Sequence, residues 1–516
     1  MKTGPAGLAA TGTSIGLTIL VALLGPSAME PPLPGRPGQP PFSLVWHPSA
    51  YLVVALAAAA VVAGTLGLGL CMGAARRGWA PSPRALATAG IIAAVVLVVL
   101  PPFGSADHLS YAAYGRMLVT GHDPYATGPS VLSHDPISRA VEDWRTTPSV
   151  YGPLATAGQA FASLIGGTSV RLTVFVLSLL NLAAFAGAGL LLHRLARGDR
   201  RRQFRAALLW TFNPLLLYEL MAGAHVDTQA AVFALAAVAV FGPIKPNGSA
   251  RWHGLARCAA AGAFTGLGAA VKLTAALAGG GLAWAARRRP RWLAGLASGF
   301  VVVVGVVLAA GGPHVLRQVA AGGNFVSIGS PWRAVRTALQ AGFGHAAAGR
   351  LVSAGSVVVA LVLLALLLRG LPGPRNSSDA DLLPTGGAAG TQVAARAALA
   401  FALAWLFAWP YVLPWYDALA WVLLPLAVWS WVDWLLLART AALAFGYLPA
   451  RGQSARLPAD LGWLQSVVRT GVTPALLAAL TVVLVVACLT GAQRRSPELR
   501  DRQELSAVSA ERSPGS

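Results

Sequence analysis

Charge is scarce in this chain: 11% of its 516 residues are Asp, Glu, Lys or Arg, against about 25% in soluble domains. That shortage excludes an ordinary soluble enzyme. Acids are rarer than bases, 18 against 39. Cysteine is rarer still: Cys71, Cys258 and Cys488 lie in or beside apolar runs with no metal-ligand spacing, which excludes a disulfide framework and a cysteine metal site. Short alternating strands are missing, which excludes an outer-membrane barrel. No internal repeat of about 20–50 residues and no inverted repeat of the transporter kind is visible.

Apolar residues are abundant, 56% of the chain with a mean hydropathy of +0.62. They fall into recurrent runs of about 17–25 residues, each long enough to cross a hydrocarbon core of about 30 Å. The fold class is therefore all-α, a polytopic helical membrane protein. The net charge of +21 comes from Lys and Arg gathered in loops that set orientation. No basic stripe with interleaved aromatics points to nucleic acid.

Placing the basic clusters on one side fixes a topology of about 13 spans. They lie at about 10–28, 50–73, 85–103, 168–193, 205–222, 228–243, 257–271, 273–286, 292–311, 349–369, 393–411, 417–437 and 471–491. Several are short, as in helices that tilt or break around a cavity. The apolar stretch 151–167 is laid along the outer interface as a juxtamembrane helix, because a span there would put Arg194 to Arg205 outside. The final span leaves Arg494, Arg495, Arg500 and Arg502 on the wrong side, unless 438–468 hides another crossing. Expected divisions are N-terminal helices 1–84, a core 85–437 with outer loop 104–167, a membrane-associated segment 438–492 and a solvated tail 493–516. The linker 370–392 also reads as solvated.

The outer loop 104–150 holds five of the 18 acids: Asp107, Asp123, Asp135, Glu142 and Asp143. With Asp227, Asp417, several histidines and many aromatics, the outer face has acceptors for hydroxyls and flat platforms for sugar rings. Asp107, directly after an apolar span, is either a solvated helix cap or a half-buried general base. His225 and Asp227 at a span boundary are either an interface histidine with a capping acid, or a polar shell around a phosphate or sugar. Lys272 in an apolar hairpin either snorkels or meets an anion. Arg333 and Arg116 are further outer cations, suited to headgroups. Trp409 to Asp417 forms an aromatic belt containing Pro410 and Pro414.

The order Asp107-His-Leu-Ser110-Tyr111, Asp123-Pro-Tyr125, Tyr151-Gly-Pro-Leu154, Asn213-Pro-Leu215, His225-Val-Asp227, Lys272-Leu and Pro414-Trp-Tyr416 resembles the actinobacterial polyprenol-phosphate-mannose-dependent α-(1→6)-mannosyltransferases. The resemblance runs from about residue 85 to about residue 437. It implies GT-C architecture and a multi-pass plasma-membrane enzyme with its site on the extracytoplasmic face. The donor implied is polyprenyl-phosphate mannose, and the acceptor a mannan or lipomannan-type glycolipid within the membrane lipid. Asp107 would be the catalytic base of an inverting transfer. Substrate-binding candidates are His225, Asp227, Lys272, Arg333, Tyr111, Asp123, Tyr151, Trp415 and Tyr416. No cofactor or metal is required, although a divalent metal framed by Asp107 and Asp227 stays possible. The chain departs from the family pattern at Val226, where that pattern has Asn, and at His108.

Rival readings are a GT-C transferase for another polyprenyl-phosphate sugar, arabinose or glucose, a lipid or sugar flippase, and a scaffold. A flippase favours ionisable groups at mid-span and paired interrupted helices. A scaffold gives no reason to gather acids, histidines and aromatics at one outer loop.

Overall fold

In hydrocarbon every backbone polar group must be satisfied within the chain, so apolar runs of this length become helices. A computed structural model describes residues 3–242, 244, 251–321, 325–373, 387–449, 451 and 457–491, and among these residues it has helices and no strand. In chain order they begin with α1 (Thr3–Leu24), α2 (Ala50–Arg76), α3 (Pro83–Val99), α4 (Asp107–Val119) and α5 (Pro153–Gly166). There follow α6 (Val170–Leu195), α7 (Asp227–Phe241), α8 (Arg251–Val271), α9 (Leu273–Ala286) and α10 (Pro290–Gly311). The last are α11 (Trp332–Gly370), bent at Gly344, α12 (Gly387–Ala408), α13 (Trp431–Tyr447) and α14 (Ala459–Gly491). Eight of the described helices are long and apolar enough to cross a membrane: α1, α2, α6, α8, α10, α11, α12 and α14. The helices α3, α7 and α9 are shorter apolar ones.

Small residues let helices approach closely where there is no water to expel. Ser14 of α1 donates its hydroxyl to Ala60 O of α2 at 2.6 Å. The largest hydrophobic core draws on residues from Ile15 to Cys488, so α1 and α14 pack into one bundle.

The expected spans 205–222 and 417–437 are helical but interrupted. In the first, Asn213 starts a new turn, its Oδ1 accepting from Leu215 N at 3.1 Å and Leu216 N at 3.3 Å, with wide π-type turns Ala207–Thr211 and Leu217–Ala222 on either side. In the second, the helix beginning at Ala418 ends around Pro425. Then α13 starts afresh from a reciprocal cap between Ser430 and Asp433.

That break reverses the direction of the chain before α14. The N-terminal end of α13 lies by Arg205, whose Nη2 is 2.6 Å from Asp433 Oδ1, while Tyr447 at its far end lines a cavity with Asp107. The helix α13 therefore runs back from the end of the bundle that holds Arg205 to the end that holds Asp107. It brings α14 back to the basic end, where a Cβ on Gly370 would lie 2.7 Å from Cys488 Cα. Residues 493–516 lie outside the described residues, as does 374–386 of the linker.

A layer at one end of the bundle is built from α4 and α5. A Cβ on Gly115 would fall 2.1 Å from Gln159 O, so only glycine permits this α4–α5 contact. Gly152 N donates to Val271 O at 2.9 Å, which seats the layer on the end of α8. One side of α5 exposes Phe161, Leu164 and Ile165.

Candidate active site

Asp107 is the first residue of α4, but it does not cap it. The capping position is Ala106, with no side-chain cap bond, and Asp107 N instead donates to Ser105 Oγ at 3.0 Å. Its carboxylate is thus spared from the helix end. The side chain is 17% exposed and faces a cavity of about 800 Å³. Asp143, Trp144, Tyr411, Tyr447, Arg451 and Arg469 line the same cavity. Burial raises the Asp107 carboxyl to about 7. Lys272 opposes that rise, Asp227 and Asp143 add to it, and a hydrogen bond from Tyr111 opposes it. A carboxyl so placed can hold or release a proton near neutrality.

Behind Asp107 stands a dense polar and aromatic cluster. His225 is fully buried, its ring 3.5 Å from that of Trp415 between centroids and 14° from parallel, and its Nδ1 is 3.8 Å from Asp107 Oδ2. Lys272 Nζ donates to Asp227 Oδ1 at 2.7 Å and Oδ2 at 2.9 Å, and lies 3.9 Å from the centre of the Tyr416 ring. This lysine therefore meets an anion from its own chain. Tyr151 donates its hydroxyl to that of Tyr111 at 3.4 Å, and the two rings meet edge to face at 5.0 Å. Asp107, Tyr111, Tyr151, His225, Asp227, Lys272, Trp415 and Tyr416 are in this way brought together by α4, the turn before α5, the start of α7, the α8–α9 break and the turn at Pro414.

Two candidates stand apart. Asp123 is 40% exposed; its Oδ1 accepts from Tyr125 N at 2.8 Å and its Oδ2 is 2.7 Å from His314 Nδ1, so it fixes a loop. Arg333 is exposed at the start of α11 and does not line the cavity of Asp107. Arg116 is paired with Asp135 at 2.8 Å. Asp417, expected at the outer surface, is fully buried, ion-paired with Arg439, and accepts from Thr440 Oγ1 at 2.7 Å.

Sequence reasoning missed Arg451 and Arg469. Arg451 Nε donates to Glu142 Oε2 at 2.9 Å, Nη2 to Glu142 Oε1, and Nη1 to Ser27 O at 2.6 Å, tying three segments together. Arg469 lies in the π-type turn Leu464–Val472 of α14. Its Nε donates to Gly446 O at 2.8 Å, its Nη2 to Tyr447 O, and it lies 4.8 Å from the Tyr447 ring centre. The one sequence signal for Arg451 was the unexplained stretch 438–468, and Arg469 lies just past its end. Among the described residues no group of three or more His, Cys, Asp or Glu is arranged to hold a metal.

A family model described as "Alpha-(1->6)-mannopyranosyltransferase, N-terminal domain" matches residues 9–288, more than half of the chain. The chain belongs to this family. A "Probable alpha-(1->6)-mannopyranosyltransferase" of Mycolicibacterium smegmatis is 31% identical over 235 residues, which is 40% of this chain and 40% of that one. Alpha-(1->6)-mannopyranosyltransferase A of Mycobacterium tuberculosis is 33% identical over 139 residues, 27% of each chain. Its counterpart A in Corynebacterium glutamicum is 28% identical over 134 residues, 26% of this chain and 27% of the other. The chain thus aligns with two fifths or less of the length of these curated relatives. The family match takes in Asp107, His225, Asp227 and Lys272; Trp415, Tyr416, Arg451 and Arg469 lie beyond it.

Proposed function

We propose that this family member is a plasma-membrane α-(1→6)-mannosyltransferase working on the extracytoplasmic face. Its donor is polyprenyl-phosphate mannose and its acceptor a mannan or lipomannan-type glycolipid. The observation that carries this reading is the carboxylate of Asp107, not used to cap its own helix and facing a cavity walled by Trp144, Tyr411 and Tyr447. Aromatic faces suit the apolar face of a sugar ring, and carboxylates accept its hydroxyl protons.

In the proposed step the acceptor 6-hydroxyl gives its proton to Asp107 as its oxygen bonds to the donor's anomeric carbon. The bond from that carbon to the phosphate oxygen breaks, and the polyprenyl phosphate departs with the electron pair. Attack from the opposite face converts a β-linked donor into an α product. The position of the cavity at the outer ends of α4 and α13 supports a lipid-borne donor, whose phosphate lies at the membrane surface. A monophosphate offers a divalent ion little to chelate, so the scheme is written without a metal.

The deciding experiment incubates membranes containing the protein or its Asp107→Asn variant with radiolabelled polyprenyl-phosphate mannose, arabinose or glucose and analyses product linkage. The reading expects α-(1→6) mannosyl product from the native protein and none from a normally inserted variant. Transfer of another sugar corrects the donor, retained transfer by Asp107→Asn removes the base, and lipid movement without a glycosidic product makes the chain a flippase.

A further inference from the structure

Three segments that wall the cavity of Asp107 run on to wall a second one. Residues 325–329 line the first, and Pro331 and Trp332 line the second. Tyr411 and Leu413 line the first, Leu406 and Trp409 the second, and Val412 both. On α14, Gly462, Gln465 and Arg469 line the first, while Leu477, Ala478 and Val482 line the second. The two spaces are continuous in the chain that builds them.

Their chemistry differs. The second is a cleft of about 340 Å³ with almost wholly apolar walls. Its polar side chains are already engaged: Arg439 with Asp417 and with Leu406 O at 2.8 Å, and Thr481 Oγ1 with Leu477 O at 2.8 Å. Trp332 forms a fixed wall, its Nε1 donating to Ala408 O at 2.7 Å. The first cavity has two arginines. All three donor nitrogens of Arg451 are engaged, two of them by the Glu142 carboxylate, which cancels its charge. Arg469 donates only to backbone carbonyls and lies against the Tyr447 ring, and among the described residues no carboxylate neutralises it. One helix, α14, thus carries a cation in the polar cavity and, further along, a wall of the apolar cleft, which matches an amphiphile with one anionic group and a hydrocarbon chain.

We infer that the cleft between α11, α12 and α14 receives the first isoprene units of a polyprenyl phosphate, and that Arg469 holds its phosphate. This rests on the proposed lipid-phosphate donor and adds where that lipid enters and which cation meets it. The same arginine would then stand beside the negative charge that grows on the departing phosphate.

The test is photolabelling of the full chain in nanodiscs with decaprenyl phosphate carrying a photoreactive group in its first isoprene units, followed by peptide mapping. Label is expected in the peptides around 331–332, 406–412 or 477–485. Ala478→Trp fills the cleft from an exposed position, so the bundle core is undisturbed. It and Arg469→Gln should each cut labelling about tenfold, and Arg469→Lys should restore part of it. In the transfer assay Arg469→Gln should raise KM for the decaprenyl donor by a similar factor. Label confined to other helices, or labelling that both variants leave unchanged, overturns the inference. Labelling reads binding alone, so failure of the wild-type chain to transfer mannose counts against the proposed reaction and not against the lipid site.

Discussion

The imidazole of His225 lies flat on the indole of Trp415, 3.5 Å between ring centroids, and points Nδ1 toward Asp107 Oδ2 at 3.8 Å. Both rings are buried, and neither ring nitrogen of His225 has a hydrogen-bond partner among the described residues. The stack therefore sets the position of the imidazole. Trp415→Ala should cost about 3–5 kcal/mol of stability through the cavity it opens. It should also lower transfer by roughly a hundredfold as the polar face shifts. His225→Phe keeps the stack and should keep the melting temperature, while removing the nitrogen that faces Asp107. Thermal unfolding and kcat measured on both variants separate packing from chemistry, and native activity in His225→Phe would leave the imidazole a packing role only.

Lys272 and Asp227 form a buried pair, their side chains 12% and 7% exposed. Removing one partner strands the other charge, which typically costs about 3–5 kcal/mol, whereas removing both does not. Lys272→Met and Asp227→Asn should each lower the melting temperature sharply. The double variant should recover most of the loss. Equal and additive losses in a double-mutant cycle would show that the two side chains act independently.

Much of this arrangement was legible in the chain, for a physical reason. A charge in an apolar run must find a partner or a surface, so Lys272, Asp227 and the acids after α3 marked themselves, and the prolines at 410 and 414 marked the break that carries Trp415 and Tyr416. Less legible was α13. It carries Asp433 and Arg439, whose partners Arg205 and Asp417 come from other segments, so its hydropathy falls below that of a span. With that returning helix hidden, the direction of α14 was lost, and Arg451 and Arg469 had no visible reason to face the site. The capping question at Asp107 was likewise open in sequence, because an acid at position one and an acid at the cap differ by a single residue.

Chain direction gives a prediction that needs no substrate. The three native cysteines are buried, so a new exposed cysteine reports its own surroundings. Ser466 and Thr490 are both exposed, at opposite ends of α14. Ser466→Cys should react with a membrane-impermeant maleimide in intact cells, and Thr490→Cys only after the membrane is opened. The reverse pattern would turn the cavity of Asp107 toward the cytosol and remove the lipid-linked scheme.

The acidity of Asp107 makes transfer dependent on pH in a definite sense. Its carboxyl is raised to about 7, first by burial and then by Asp227 and Asp143, against the pull of Lys272 and the Tyr111 hydrogen bond. A base must be ionised to accept the acceptor's proton, so it is blocked below about 7 and free above it. The logarithm of kcat/KM should climb with unit slope below that pH and level off above it. Asp143 is one of the two acids holding the carboxyl up, and it lines the same cavity. Asp143→Asn should therefore move the inflection to lower pH, because less repulsion opposes the charged form. An inflection that stays in place in Asp143→Asn would mean that a different group titrates.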